Sequence, residues 1–273
     1  MQTRASLPDI NRLSIVPATI MLAFALTQLV SFPVQDLAFS MFGIIIAFYL
    51  DFSLAIIVIC VFLAGVGMEW LIQSHPEKDR YQNRWAYFRH WIVPVLTSIV
   101  IGVTLNTFAG GLIWWAVYIL GSLLLFAVFI AEYNVVTAED YRNPLATIGL
   151  TALSFALYLL LAIAVFSADI RLYIRLPLLG IGAMMVISRT LFLRLGKWHT
   201  LWAVVNSLIV SEIVVGFNYL PIAPVQFGLL LVGVAYALTS IVTALEESRK
   251  SWAFWGEPIS MLVLTVIISI LWG

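Results

Sequence analysis

From Trp91 to Ala131 the chain carries no Asp, Glu, Lys or Arg, and the same holds from Asn143 to Ala168 and from Ile213 to Leu245. Stretches this long and this free of charge leave little choice of fold. A helix crosses the hydrocarbon core of a bilayer with about 20 apolar residues, each rising about 1.5 Å. Strands of a membrane barrel would instead alternate in hydropathy over about ten residues. Hydrophobic residues make up 63% of the chain and charged ones 10%, against roughly 25% charged in a soluble domain. Such a chain cannot cover itself with polar surface in water, so a water-soluble globule is excluded. The net charge is zero and there is a single cysteine, Cys60. These exclude a disulfide scaffold and leave no basic domain for nucleic acid.

The apolar runs predict about ten transmembrane helices, at 13–32, 34–50, 52–72, 91–109, 111–132, 145–168, 173–195, 199–220, 223–245 and 257–272. The expected fold is therefore all-α: a polytopic integral membrane helix bundle, one transmembrane domain over 1–273, with no soluble domain. The run 34–50 is short and confined between Pro33 and Asp51, and the count falls to nine if it is re-entrant. The first span is long for a signal-peptide core and lacks an Ala-x-Ala-like site, so it reads as a retained anchor.

Orientation follows from the basic loop residues. With ten spans, the face where odd-numbered helices end (face A) receives Lys78, Arg80, Arg84, Arg89, Arg142, Arg194, Lys197, Arg249 and Lys250. Face B receives Arg4, Arg12, Arg171 and Arg175. Face A is then cytoplasmic in a cell (inner) membrane, with both termini outside; nine spans would move the N-terminus inside. Between His75 and His90, Tyr81, Trp85, Phe88 and Trp91 recur at helical spacing, predicting an interfacial amphipathic helix at 78–90. Arg80, Arg84 and Arg89, with Trp85, are its candidate contacts to anionic lipid headgroups; the bland alternative is a loop that merely obeys the charge rule.

Ionisable groups at bilayer depth cost about 2.5–3.5 kcal/mol on insertion scales and demand an explanation. Glu212 lies about 20 Å from the face-A end of its helix, and Arg189, on the preceding helix, about 10 Å from the same face. The tight Gly196-Lys197-Trp198 turn makes the two helices antiparallel neighbours, and side chains lean toward helix N-termini, so the pair could meet. Arg189, Glu212 and Asn206 form the expected buried polar centre. The competing readings are a structural ion pair, a polar cavity for a solute or proton, and a protonated Glu212 hydrogen-bonded to a group such as Asn206.

Catalytic signatures are sparse. There is no Gly-x-Ser-x-Gly elbow and no phosphate-binding glycine loop. His75, His90 and His199, with Glu69, Glu77, Asp79 and Glu132, gather near face A but lack the His-x-x-x-His or Glu-x-x-His spacing of a metal site, so no metal or cofactor is expected. Cys60, mid-span among aliphatics, reads as a small hydrophobe. The matched spacings Glu132-x11-Pro144 and Glu246-x11-Pro258 hint at an internal repeat. The function expected is a small transport or binding protein centred on Arg189 and Glu212, more a non-enzyme than an enzyme. The alternatives are a structural or assembly subunit of a membrane complex and a lipid-modifying enzyme at face A. Expected partners are the bilayer, anionic lipid and other membrane subunits.

Overall fold

The computed structural model describes residues 9–30, 35–41, 44–75, 88–108, 110–137, 144–168, 170–248 and 251–271. Among them are nine helices long and apolar enough to cross a membrane: α1 Ile10–Leu29, α2 Phe52–Ile72, α3 Phe88–Thr107, α4 Leu112–Thr137, α5 Pro144–Ser167, α6 Leu172–Leu195, α7 Thr200–Phe217, α8 Pro224–Glu246 and α9 Ser251–Leu271. The polytopic helix bundle stands, with nine helices in place of about ten. The tenth expected span, 34–50, is corrected to an antiparallel hairpin, β1 Gln35–Met41 paired with β2 Ile44–Leu50 in a register running from Gln35–Leu50 to Met41–Ile44. Its β-branched and aromatic run Ile44-Ile45-Ile46-Ala47-Phe48-Tyr49-Leu50 favours the extended chain. A two-stranded ribbon leaves its outer amides unpaired, which hydrocarbon does not tolerate, so it does not cross the bilayer alone.

The chain divides into two compact units, 1–133 and 134–273. In the first, α2 packs against both α1 and α3. Asp9 caps α1 by accepting from the Asn11 amide at 3.1 Å, and Asp51 caps α2 by accepting from the Leu54 amide at 2.7 Å. Each satisfies one of the orphan donors of a helix start. The buried stripe of α1 is Leu13, Val16, Pro17, Ile20, Met21 and Phe24, the spacing of one helix face. Val16 sits on Gly67, where any Cβ would collide with its Cγ1; the missing side chain lets the two backbones approach. Cys60 is fully buried, its thiol 3.6 Å from the Ile20 carbonyl.

In the second unit α8 packs against α5, α6, α7 and α9, and α6 packs against α5, α7 and α8. Small residues sit at the crossings. A Cβ on Gly182 would come 2.7 Å from Leu161, and one on Gly228 2.8 Å from Ile163. Gly196 ends α6 at φ 71°, a left-handed conformation open to glycine, and its amide bonds the Phe192 carbonyl at 2.9 Å. That turn makes α6 and α7 antiparallel neighbours. Pro144 opens α5, but Pro258 lies inside α9, and Glu132 lies inside α4 while Glu246 ends α8. The two matched spacings therefore fall on different structural contexts and carry no repeat.

Candidate functional site

Two of the three residues of the expected polar centre are buried, and the third is not. Arg189 and Asn206 are 1% and 3% exposed inside the second unit. Glu212 is not with them: it is exposed and makes no hydrogen bond or ion pair among the described residues. The inward stripe of α7 is Ala203, Asn206, Ser207, Val210 and Val214. Glu212 stands two residues from both Val210 and Val214, about 200° around the helix, which turns it to the opposite side. There it continues an outward stripe of Leu201, Val204, Val205, Leu208 and Ile209. The Arg189–Glu212 pair is thus corrected. Depth along the membrane normal allows it, but the angular position around α7 forbids it.

The structure adds groups that depth alone does not single out. Thr151 on α5, Thr190 on α6, Asn206 on α7 and Ser240 on α8 are all buried. The Thr151 and Thr190 hydroxyls and the Asn206 Nδ2 find no hydrogen-bond partner among the described residues, while the Ser240 hydroxyl faces the Glu257 carboxylate. At 1.5 Å per residue, these four and Arg189 lie about 7–11 Å from the face-A ends of their helices, and so at one level. Their neighbours differ: Ser154, Thr239 and Thr243 donate to carbonyls of their own helices at 2.7–2.9 Å. A buried polar atom without a partner costs about 1–3 kcal/mol, and such atoms are normally met by ordered water or another polar group. The signal in the sequence is a hydroxyl or amide at matching depth in consecutive spans.

A polar network braces each unit. In the first, His90 and Glu132, 1% and 0% exposed, meet with Nδ1 2.8 Å from Oε2. Arg89 Nε donates to His90 Nε2 at 3.2 Å. Because a guanidinium only donates, Nε2 must be the bare nitrogen, and Nδ1 therefore carries the proton given to Glu132. The result is a buried Arg–neutral His–Glu chain that ties α3 to α4. Arg89 is 8% exposed, so it is turned inward and does not stand on the expected headgroup face. Arg80, Arg84 and Trp85, with most of the expected interfacial helix 78–90, lie outside the described residues. His75 is buried edge-on to Tyr133, their ring centroids 4.8 Å apart.

In the second unit, Arg194 on α6 donates to Glu257 on α9 at 3.0 Å and to the Tyr236 hydroxyl on α8 at 2.9 Å. Tyr236 in turn donates to the same Glu257 oxygen at 2.7 Å. Glu246 accepts from Trp202 Nε1 at 3.2 Å and lies 3.7 Å from His199 Nδ1. At the other end Arg175 donates to Asn218 Oδ1 and lies 4.7 Å over the Phe166 ring. His90 and His199 thus lie against different carboxylates, Glu132 and Glu246. Among the described residues no group of three or more His, Cys, Asp or Glu could hold a metal.

Comparisons with curated proteins and with solved structures returned no match. A family model does match, over residues 32–272, from just after α1 through α9. The chain belongs to the family described as Protein of unknown function (DUF5656).

Proposed function

We propose that this multi-pass membrane protein binds or conducts small polar solutes through a polar centre in its second unit, formed by Arg189 and Asn206 with Thr151, Thr190 and Ser240. One observation carries the reading: α5, α6 and α7, with α6 packed against both of the others, each hold a buried polar atom that has no hydrogen-bond partner among the described residues, at one distance from their helix ends. Buried polar sites of this kind are normally satisfied by ordered water or a solute. The experiment is stopped-flow light scattering of proteoliposomes under osmotic shock, with water, glycerol and acetate as the probes. Flux above that of empty liposomes, cut several-fold in Thr190→Val/Asn206→Leu, supports the reading. Flux no faster than empty liposomes, or unchanged in a variant that reconstitutes normally, overturns it.

Glu212 favours a second reading, as a subunit docked to another membrane protein. Its carboxyl sits on an apolar outward stripe about 18 Å from the start of α7, where an unpaired charge is costly. A stoichiometric partner that co-purifies with the parent but is lost in Glu212→Leu would support this reading, and a monodisperse single species would remove it.

The proposed setting is the cell membrane with face A cytoplasmic. Arg12 Nη1 donates to the Trp70 carbonyl at 2.9 Å, and the guanidinium lies 4.9 Å from that ring's centroid. This contact sets the start of α1 beside the end of α2. It supports nine crossings with the N-terminus on face A, in place of the two outside termini expected from ten. Arg4 and Arg12 then join the other basic loop residues, leaving Arg171 and Arg175 on face B, a stronger charge asymmetry. Arg80, Arg84 and Trp85 remain the proposed contacts to anionic headgroups on face A.

A further inference from the structure

In the first unit the ends of α1 and α3 and the start of α2 enclose a cleft of about 290 Å³. That is roughly ten waters' share of liquid volume, at the small end of ligand sites. Its walls repeat one arrangement on three helices. Gln28, Ser53 and Asn106 line it together with Phe24, Ile57 and Gly102. Each of the latter lies four residues, or one turn, deeper along the same helix than its polar counterpart. The deep end is tight, since a Cβ on Gly102 would come 2.7 Å from Ile57 Cγ1 and 3.1 Å from Phe24 Cε1. Thr27, which also lines the cleft, commits its hydroxyl proton to the Phe24 carbonyl at 2.7 Å. The Gln28, Ser53 and Asn106 side chains make no hydrogen bond to the described residues, and together they offer both donors and acceptors.

We propose that this cleft binds an uncharged amphiphile, the hydroxyl–ester head of a neutral glycerolipid of the diacylglycerol class. The head meets Gln28, Ser53 and Asn106, and the first carbons of its chains lie on Phe24 and Ile57. No lining residue is charged, so an ionic headgroup would lose hydration and gain no counter-charge. A glycerol ester both donates and accepts hydrogen bonds, as the two amides and the hydroxyl do. The cleft also opens where apolar helices end, the level at which such a head sits in a bilayer. This site is independent of the polar centre in the second unit.

The test uses the full chain in phosphatidylcholine nanodiscs carrying a trace of photoactivatable diacylglycerol, with labelled peptides read by mass spectrometry. Labelling is expected on the segments around 24–28, 53–57 and 102–108, and is competed by unlabelled diacylglycerol but not by phosphatidylglycerol. Gln28→Leu/Asn106→Leu lowers it about tenfold, while Thr190→Val/Asn206→Leu, in the other unit, leaves it unchanged. Because the double leucine variant could misfold, Ser53→Ala alone, with an unchanged helical spectrum, is expected to lower labelling by a smaller factor. Labelling elsewhere, equal labelling of the cleft variants, or equal competition by phosphatidylglycerol overturns the proposal. Competition by glycerol alone at matched occupancy overturns its assignment to lipid.

Discussion

Removing the Glu132 carboxylate should destabilise the protein severely, because two buried groups depend on it in series. Glu132 is 0% exposed and accepts from His90 Nδ1 at 2.8 Å, and the far side of that imidazole accepts from Arg89. Glu132→Leu deletes a hydrogen bond to a charged acceptor, about 1.5–3 kcal/mol, and strands the buried Nδ1–H, about 1–3 kcal/mol more. The charge of Arg89, 8% exposed, also loses this counter-charge. The expected loss is about 3–5 kcal/mol, the range seen when one partner of a buried pair is removed. Glu132→Gln keeps an oxygen acceptor for Nδ1–H and loses only the charge, so about 1–2 kcal/mol is expected. The assay is reversible unfolding in mixed micelles, following helical ellipticity against SDS mole fraction. His90→Phe and the double variant His90→Phe/Glu132→Leu complete a cycle in which the two losses are strongly non-additive. A leucine variant within about 0.5 kcal/mol of the parent, a size typical of neutral surface changes, would refute the reasoning. Gln and Leu variants of equal stability would refute the assigned tautomer.

Three further outcomes are expected. Gly67→Ala drives a methyl into Val16 and destabilises by about 1–3 kcal/mol; Val16→Ala should restore most of it in the same assay, and a neutral Gly67→Ala would show that α1 and α2 do not approach this closely. Tyr236→Phe removes the hydroxyl between Arg194 and Glu257 but leaves their 3.0 Å contact, so about 1 kcal/mol is expected, well below the loss in Glu257→Leu; equal losses would count against the bridging role. In a Cys60→Ala background, single cysteines at positions 12 and 197 should label from one side of sealed vesicles and one at 171 from the other. Labelling of 12 and 197 from opposite sides would restore an even number of crossings in the chain.

Much of the architecture is legible along the chain because hydropathy is a one-dimensional property. The span 52–72 coincides with α2, and the other helices start or stop within a few residues of their apolar runs. The exception at their ends is α9, which begins at Ser251, ahead of Pro258. The run 34–50 escapes such a reading because apolar content alone does not separate a helix from a strand pair when β-branched and aromatic residues crowd together. The polar centre shows the other limit. Counting residues gives a position along a helix, and it singles out Arg189 and Asn206, both of which are buried. The direction in which Glu212 points depends on its angle around α7, which the alternate stripes Ala203-Asn206-Ser207-Val210 and Leu201-Val204-Leu208 trace.

The sequence by itself determined that this is a membrane protein of many helices, roughly where nine of them run, and which polar groups lie within them, because the cost of placing charge in hydrocarbon acts on each residue in turn. Only the tertiary structure decided which of those groups meet. His90 finds Glu132 42 positions away, and Arg194 finds Glu257 63 positions away, because helix packing brings distant segments to the same level and the same side. Side-chain contact depends on depth, angle and neighbour together, and the linear pattern contains only the first of these directly.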